Sequence, residues 1–231
     1  MQDKYEECIT FMEWKEEAKK RAAYEATKHI KDGMVVGLGT GSTAKYAIER
    51  IGMLVSEGYD IIGIPTSRQT EEIARQHGIK IGDINDYDTI DVTIDGADQI
   101  DGNLNLIKGG GGALLREKIV ASCSKLEIIV ADESKLVDKF SFPLPVEVVK
   151  FGWRRTAEKL KKLGLGPRRR DFVTDNGNYI LDCDYDKLEY EMEAKINMLP
   201  GVVENGLFIN MASFAIIGYR DGSVKIMGAR K

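Results

Sequence analysis

Histidine and cysteine are scarce in this chain. Its 231 residues include only two histidines, His29 and His77, and both fall within helical patterns, so we interpret them as structural. With only these two histidines, the sequence does not favour a histidine metal cluster or a Ser-His-Asp triad, and we expect no metal site and no cofactor. The three cysteines, Cys8, Cys123 and Cys183, are odd in number and show no C-x-x-C spacing. We therefore predict free thiols and a reducing, cytoplasmic compartment.

Long apolar runs and a strong net charge are also missing. No stretch approaches the roughly 20 apolar residues of a membrane-spanning helix, and the opening M-Q-D-K-Y-E-E is unlike a signal peptide. We expect no membrane partner. A net charge of -4 gives no general attraction for nucleic acid. The one basic run, from Lys161 to Arg170, could suggest nucleic-acid binding, but we interpret it as a solvated loop.

Short apolar strands alternate with helices over the first 140 residues. The strands lack clean polar alternation, which is typical of a parallel sheet covered on both faces. We predict a Rossmann-like α/β fold with a mostly parallel sheet. The predicted strands are 34–38, 61–65, 79–81, 90–94 and 126–131, and the predicted helices are 13–31, 42–57, 68–77 and 113–123.

The pattern changes after about residue 140. Prolines flank a short strand, a helix follows, and Asn176-Gly177 predicts the turn of a β-hairpin. With a further helix and strand, the order is β-α-β-β-α-β, which predicts a small α+β domain of the ferredoxin-like kind over 141–212. We expect two late strands, 214–217 and 223–227, to return to the first sheet. The α/β catalytic domain would then comprise 1–140 and 213–231, with the small domain inserted.

A glycine loop, G-L-G-T-G-S-T-A, spans Gly37 to Ala44 between a predicted strand and a predicted helix. Backbone amides freed by glycine at a helix N-terminus bind phosphate. A dinucleotide would also need an acidic residue about 20 residues later, and the chain has I-P-T-S from Ile64 to Ser67 instead. The hydroxyls of Thr40, Ser42 and Thr43 suit a phosphomonoester better. A plain tight turn capped by Ser42 remains an open alternative. The hydroxyls of T-S-R-Q-T, residues 66–70, are equally consistent with ligand binding and with ordinary helix capping.

The densest group of charges and glycines lies between Asp95 and Glu117. Asp95 ends a predicted buried strand, where ligands of open parallel sheets bind, and Asp98 follows three residues later. Lys108 directly precedes four glycines, Gly109 to Gly112, and Glu117 lies in the helix that follows. A lysine there can neutralise an oxyanion, and a desolvated carboxylate can take a proton from carbon. For Glu117 alone, an exposed carboxylate paired with Lys118 or Arg116 would be the ordinary interpretation.

Seven motifs follow one another along the chain. They are G-T-G-S-T-A at 39–44, D-G-A-D at 95–98, K-G-G-G-G-A-L-L-R-E-K at 108–118, D-E-S-K at 132–135, F-P-L-P-V-E-V at 142–148, V-T-D-N-G-N at 173–178 and P-G-V-V-E-N-G-L-F at 200–208. With these motifs in this order, the chain resembles the type A ribose-5-phosphate isomerase family from about residue 15 to its end.

The resemblance implies interconversion of D-ribose 5-phosphate and D-ribulose 5-phosphate through an enediol(ate), in the non-oxidative branch of the pentose phosphate pathway. It makes Glu117 the base, with Asp95 and Lys108 assisting ring opening and oxygen protonation and Asp98 orienting hydroxyls. It also implies a substrate-binding set comprising Thr40, Gly41, Ser42, Thr43, Asp95, Gly96, Ala97, Asp98, Lys108, Gly109, Gly110, Gly111 and Lys135.

Two further points follow from the resemblance. The family is usually dimeric or tetrameric, so we expect a homodimer or homotetramer. Gln99 stands where the family usually has glutamate, which leaves the required carboxylates unaffected. The alternative function is a phosphosugar-binding regulator or a sugar-phosphate deaminase on a related fold. Neither alternative would need to keep Asp95, Lys108 and Glu117 together.

Overall fold

The computed structural model describes residues 2–228, with side chains from Glu13 onward, so the side chain of Cys8 and the last three residues of the predicted catalytic domain lie outside the described part. Six α-helices are present in this range. In chain order they are α1 (Gln2–Thr27), α2 (Ser42–Ser56), α3 (Arg68–Gln76), α4 (Leu114–Ser122), α5 (Trp153–Lys162) and α6 (Met192–Asn197).

The strands of the described chain belong to three sheets. In chain order they are β1 (Val35–Leu38), β2 (Ile62–Pro65), β3 (Lys80–Ile81), β4 (Val92–Asp95), β5 (Gln99–Ile100), β6 (Leu106–Ile107), β7 (Glu127–Asp132), β8 (Leu144–Val148), β9 (Gly166–Val173), β10 (Tyr179–Asp184), β11 (Val202–Asn205), β12 (Leu207–Phe208), β13 (Phe214–Gly218) and β14 (Val224–Met227).

The largest sheet has seven strands in the order β14-β13-β7-β4-β1-β2-β3. Every pairing in it is parallel except that of β13 with β14. Apolar residues of α1 and α2 pack on one face, and Val120 and Ala121 of α4 pack on the other. The predicted α/β fold with helices on both faces is confirmed. So is the return of the two late strands to this sheet.

A second, antiparallel sheet has the strand order β11-β8-β10-β9. Its strands and α5 and α6 follow one another in the predicted β-α-β-β-α-β order, and they enclose a separate apolar core around Leu160, Leu181 and Ile196. The domain boundaries at 140 and 213 remain a prediction. A third sheet, β12-β6-β5, was not expected, because its two-residue strands carry no readable pattern.

Two sequence predictions about this region and the N-terminus need correction. The first helix begins at Gln2 and ends at Thr27, rather than covering 13–31. The basic run from Lys161 to Arg170 is not a loop, because α5 ends at Lys162 and β9 begins at Gly166. Its three arginines therefore lie on a strand, which fixes the directions of their side chains.

Candidate active site

The glycine loop between β1 and α2 lies beside the end of β4. Gly41 is the N-cap of α2, at φ 122° and ψ 175°, and Ser42 begins the helix without capping it. The interpretation of Ser42 as the cap is wrong. The N-cap position has a positive φ that favours glycine, and it is occupied by Gly41, so the Ser42 hydroxyl lies one residue too late to cap the helix. The Thr40 N–H donates to Asp95 Oδ1 over 3.1 Å, which ties the loop to the end of β4.

The Thr40 hydroxyl belongs to a buried network. It lies 2.7 Å from Thr66 Oγ1, 2.9 Å from Ser67 Oγ and 3.0 Å from Thr70 Oγ1. Ser67 also caps α3 by accepting from the Thr70 N–H over 3.0 Å. The capping interpretation of residues 66–70 is therefore confirmed for Ser67, and these hydroxyls brace the glycine loop from behind.

Lys108 is the centre of a buried ion cluster. Its Nζ lies 3.0 Å from Asp95 Oδ2 and 3.4 Å from Glu117 Oε1, and it also donates to the Gly96 carbonyl. The side chains of all three charged residues are at most 5% exposed. Asp95 Oδ1 additionally accepts from the Gly96 N–H over 2.7 Å. Glu117 Oε2, in contrast, is buried without a hydrogen-bond partner among the described residues.

This difference determines where a proton resides in the cluster. Burial raises the pKa of Glu117 to about 8, with Lys108 opposing the shift and Asp95 and Asp98 adding to it. Burial also raises the pKa of Asp95, against Lys108 and the Gly96 and Thr40 amides. Because Asp95 has three hydrogen-bond donors and Glu117 has only the longer contact, we place the shared proton on Glu117. Burial alone would lower the pKa of Lys108, but the surrounding carboxylates outweigh it and raise that pKa, so the lysine is charged.

The neighbours of Glu117 on α4 are engaged elsewhere. Arg116 Nε donates to Asn176 Oδ1 over 2.9 Å. Lys118 Nζ lies 2.9 Å from both Glu193 Oε1 and Glu204 Oε1. The ordinary interpretation of Glu117 as an exposed partner of these side chains is therefore wrong.

Asp98 and the glycine run approach each other closely. The Gly110 N–H donates to Asp98 Oδ2 over 2.7 Å. A Cβ atom at position 110 would lie 2.5 Å from Asp98 Oδ1, so no residue larger than glycine fits there without displacement. The loop backbone thereby forms one wall of a cavity of about 110 Å³.

That cavity gathers nearly the whole predicted set. It is lined by Thr40, Gly41, Ser42, Thr43, Gly96, Ala97, Asp98, Lys108, Gly109, Gly110, Gly111, Glu117 and Lys135. Asp95 lies beneath the cavity and reaches it through Lys108. Lys135 comes from a 3₁₀ turn, Glu133–Lys135, directly after β7. A larger groove of about 700 Å³ beside α1 and α2 lacks such a convergence of buried charges, so we place the site at the smaller cavity.

One buried carboxyl group beside this cluster belongs to none of the sequence motifs. Glu127, the first residue of β7, is 2% exposed, and neither of its side-chain oxygens has a hydrogen-bond partner among the described residues. Burial raises the pKa of Glu127 well above its ordinary value, with the charge of Asp95 adding to the shift. A glutamate opening an otherwise apolar strand, E-I-I-V-A, was the available signal.

A family model described as ribose 5-phosphate isomerase A (phosphoriboisomerase A) matches residues 62–222, more than half of the chain. The chain belongs to this family. A ribose-5-phosphate isomerase A of Gluconobacter oxydans is 50% identical over 216 residues, covering 88% of this chain and 94% of the relative. That of Bacillus mycoides is 48% identical over 213 residues, covering 88% and 96%.

Solved structures of the family share the fold of this chain. A D-ribose-5-phosphate isomerase in complex with phospho-erythronic acid matches with a TM-score of 0.89 and 42% identity, covering 92% of this chain and 98% of that one. The agreement therefore extends over both large sheets. No helix of the described residues is long and apolar enough to cross a membrane.

Proposed function

We propose that this isomerase interconverts D-ribose 5-phosphate and D-ribulose 5-phosphate, with Glu117 as the base that moves the proton between C2 and C1. The observation that supports the proposal best is that Glu117 is buried in the cavity with one oxygen unengaged. Its carboxyl group lines the cavity, is buried, keeps one oxygen without a protein partner, and lies 3.4 Å from the Lys108 cation. In the fraction of molecules in which Glu117 is ionised, this unengaged oxygen can accept a proton from carbon.

The proton balance of the reaction needs no net change in the enzyme. The Glu117 carboxylate takes the proton from C2 of the open-chain aldose, and the C–H electron pair forms the C1–C2 double bond as the C1 carbonyl oxygen becomes an oxyanion. Lys108 donates a proton to that oxygen, which gives the enediol, and Lys108 recovers a proton from the C2 hydroxyl as the C2 carbonyl forms. The electron pair of the C1–C2 double bond takes the proton back from Glu117 at C1, which gives the ketose.

Lys108 supplies the positive charge that the enediolate requires. Its ammonium group is held by Asp95, by Glu117 and by the Gly96 carbonyl, so it is oriented before substrate arrives. A preorganised charge of this kind stabilises the transition state more than the ground state. Asp95 has both oxygens engaged beneath the cavity, which favours action through Lys108. Asp98, on the cavity wall, is placed to orient hydroxyl groups.

The phosphate would bind at the other side of the cavity. The backbone from Thr40 to Thr43 opens α2 there, so its amides and the helix dipole favour an anion. Lys135 lines the same cavity and forms no ion pair or hydrogen bond with the described residues. A solved relative is in complex with phospho-erythronic acid, which carries a phosphate group, and this supports a phosphorylated sugar as the substrate class.

A direct assay of wild type and Glu117→Gln tests the proposal. We expect the wild-type enzyme to convert ribose 5-phosphate to ribulose 5-phosphate, and Glu117→Gln to lose about 10²–10⁴-fold in kcat, because the amide cannot accept the proton. The dissociation constant of the variant for ribose 5-phosphate, measured by calorimetry, should stay within about threefold of the wild-type value. A group that acts only in the chemical step lowers kcat without weakening substrate binding. Near-wild-type turnover of Glu117→Gln would exclude Glu117 as the base.

We also propose a homodimer or homotetramer in the cytoplasm. Phe151 and Met198, near the four-stranded sheet, are 94% and 83% exposed, and large exposed apolar side chains of this kind occur at interfaces between copies. Buried, unpaired Cys183 suits a reducing compartment. Light scattering on the purified chain tests the oligomer, and a monomeric mass at micromolar concentration would contradict it.

A further inference from the structure

Arg170 extends from the four-stranded sheet to the glycine run of the active site. Its side chain, on β9, is 21% exposed. Nε donates to Asp182 Oδ2 over 2.9 Å and Nη2 donates to Asp182 Oδ1, so one carboxylate holds one edge of the guanidinium. The remaining nitrogen, Nη1, donates to the carbonyl oxygens of Gly109 and Gly110 over 3.1 and 3.0 Å.

These two contacts fix the direction of two successive peptide groups. The described chain has no cis peptide bond, and in a trans peptide the C=O and the following N–H point in opposite directions. With the Gly109 carbonyl turned to Arg170, the Gly110 N–H points away from it and donates to Asp98 Oδ2 over 2.7 Å. Asp98 lines the cavity, which shows that the side opposite Arg170 is the cavity side.

The same geometry applies one residue later. Because the Gly110 carbonyl also faces Arg170, the Gly111 N–H points to the opposite side, and Gly111 lines the cavity near the side chain of Thr40. The Gly109 carbonyl also accepts from the Gly112 N–H over 3.0 Å, a turn within the run itself. The Gly110 carbonyl accepts only from Arg170 among the described residues. Because a glycine run has little intrinsic preference for one peptide orientation, Arg170 is the contact that selects the direction of the second peptide group.

We propose that Arg170 is a positioning residue for the isomerisation: it holds the carbonyls of Gly109 and Gly110 so that the Gly110 N–H orients Asp98 and the Gly111 N–H donates to an oxygen of the reacting sugar. The inference rests on the proposed function, because the oxygen in question is the one that gains charge in the enediolate. Through Arg170 on β9, the four-stranded sheet then helps to orient the backbone that lines the catalytic cavity.

The same strand provides a matched control. Arg168, two residues earlier on β9, pairs with Asp184 across the hairpin over 2.8 Å. The two side chains are 68% and 58% exposed, and the pair makes no contact with the glycine run. Arg168→Met therefore removes an Arg–Asp pair from the same hairpin while leaving the peptide groups of the cavity in place.

The test compares Arg170→Met with Arg168→Met in steady-state isomerisation of ribose 5-phosphate. Loss of one preorganised oxyanion donor lowers kcat by about 10²–10³-fold, and a donor that is misdirected rather than removed should cost about 10- to 100-fold. We expect Arg170→Met to lose about 10- to 100-fold, mainly in kcat. Arg168→Met should change kcat by less than about twofold, because it removes no interaction made in the transition state. Thermal unfolding of both variants measures any general loss of structure.

Two further variants keep the test decisive if Arg170→Met folds poorly. Arg170→Lys retains the charge but cannot reach Asp182 and both carbonyls together, so it should have an intermediate kcat. Millimolar guanidinium should restore part of the turnover of Arg170→Ala and none of that of Glu117→Gln. Equal kcat/KM values for Arg170→Met and Arg168→Met, with Glu117→Gln inactive, would overturn this inference alone. Absence of ribose 5-phosphate turnover in wild type would instead overturn the proposed function.

Discussion

Lys108 and Lys118 are ten residues apart and have the same kind of surroundings, yet their chemistry differs. Each ammonium group pairs with two carboxylates, and each lies near the ring of Phe208, at 5.4 Å for Lys108 and 4.8 Å for Lys118. The Lys118 pairs are both 2.9 Å long, with partners 26% and 16% exposed. The Lys108 partners are 1% and 5% exposed, and the contact to Glu117 is 3.4 Å.

The difference lies in how completely the carboxylates are satisfied. Glu204 Oε1 accepts from Asn197 and from the Asn205 N–H as well as from Lys118, so its charge is well stabilised. Glu117 keeps one buried oxygen without a partner and a pKa raised by burial. A fully satisfied cluster holds α4 to α6 and β11, whereas a cluster with one open oxygen can exchange a proton.

Replacing each lysine by methionine should separate these roles most strongly. Lys108→Met should lower kcat by about 10²–10³-fold, because it removes the charge that we propose stabilises the enediolate. Lys118→Met should keep kcat within a few-fold but lower the free energy of unfolding by about 1–3 kcal/mol, because Glu193 and Glu204 lose a partner. Steady-state kinetics and urea unfolding of both variants provide the measurement. Similar losses of kcat in the two would remove the distinction.

The pH dependence should carry the signature of the Lys108 cluster. The base form of Glu117 is the carboxylate and its pKa is about 8, so kcat/KM should rise about tenfold per unit up to about pH 8 and then level off. Lys118→Met should keep this profile. Lys108→Met should move it to higher pH, because the lysine lowers the pKa of Glu117. A wild-type profile that is flat from pH 6 to 8 would contradict the assignment.

Lys135 offers a third lysine that has no carboxylate partner among the described residues. If it binds the phosphate, Lys135→Ala should raise KM by about tenfold and lower kcat less, as expected for uniform binding. Exposed Lys139 supplies a control, since it lies outside the cavity. Inorganic phosphate inhibition should weaken in parallel with KM. An unchanged KM would remove Lys135 from the site.

The smallest expected effect concerns Glu127 and stability. Its folded-state pKa is raised by burial, so the stability it contributes is present below its unfolded pKa of about 4.5 and is lost as pH rises towards the folded value. Glu127→Gln cannot ionise. Relative to wild type, the variant should therefore gain stability between pH 5 and pH 9, by at most about 1.4 kcal/mol per pH unit. Urea unfolding at pH 5 and at pH 9 measures the free energy of unfolding of both proteins. If the variant differs from wild type by the same amount at both pH values, Glu127 is not a buried neutral group.

Much of the fold was predictable because its patterns are local. Apolar strands bounded by glycine and proline indicate a buried parallel sheet, and residues that follow such strands must meet at one edge. That rule predicts that Asp95 and the loop at Thr40 lie at one edge of the sheet, whereas the assignment of Lys135 to the site came from the family resemblance. The roles of these residues in catalysis and binding remain proposals.

The remaining features depend on contacts between distant residues. Lys118 finds its partners 75 and 86 residues away, and Arg170 reaches the glycine run from 61 residues away. A run of arginines does not show which of them faces a carboxylate and which faces a carbonyl. The two-residue strands β5, β6 and β12 are likewise formed by pairing rather than by their own sequence.

The position of β13 has a consequence for synthesis of the chain. β13 pairs with β7 along five residues, but the whole four-stranded sheet comes between them in sequence. During translation, β7 therefore remains the open edge of a parallel sheet until more than 80 further residues have been added. The strand is buried along its full length in the finished molecule, and its apolar segment I-I-V-A is the kind that pairs with other chains when uncovered. We therefore expect the ribosome-bound intermediate to be the form of this enzyme most prone to pair with other chains.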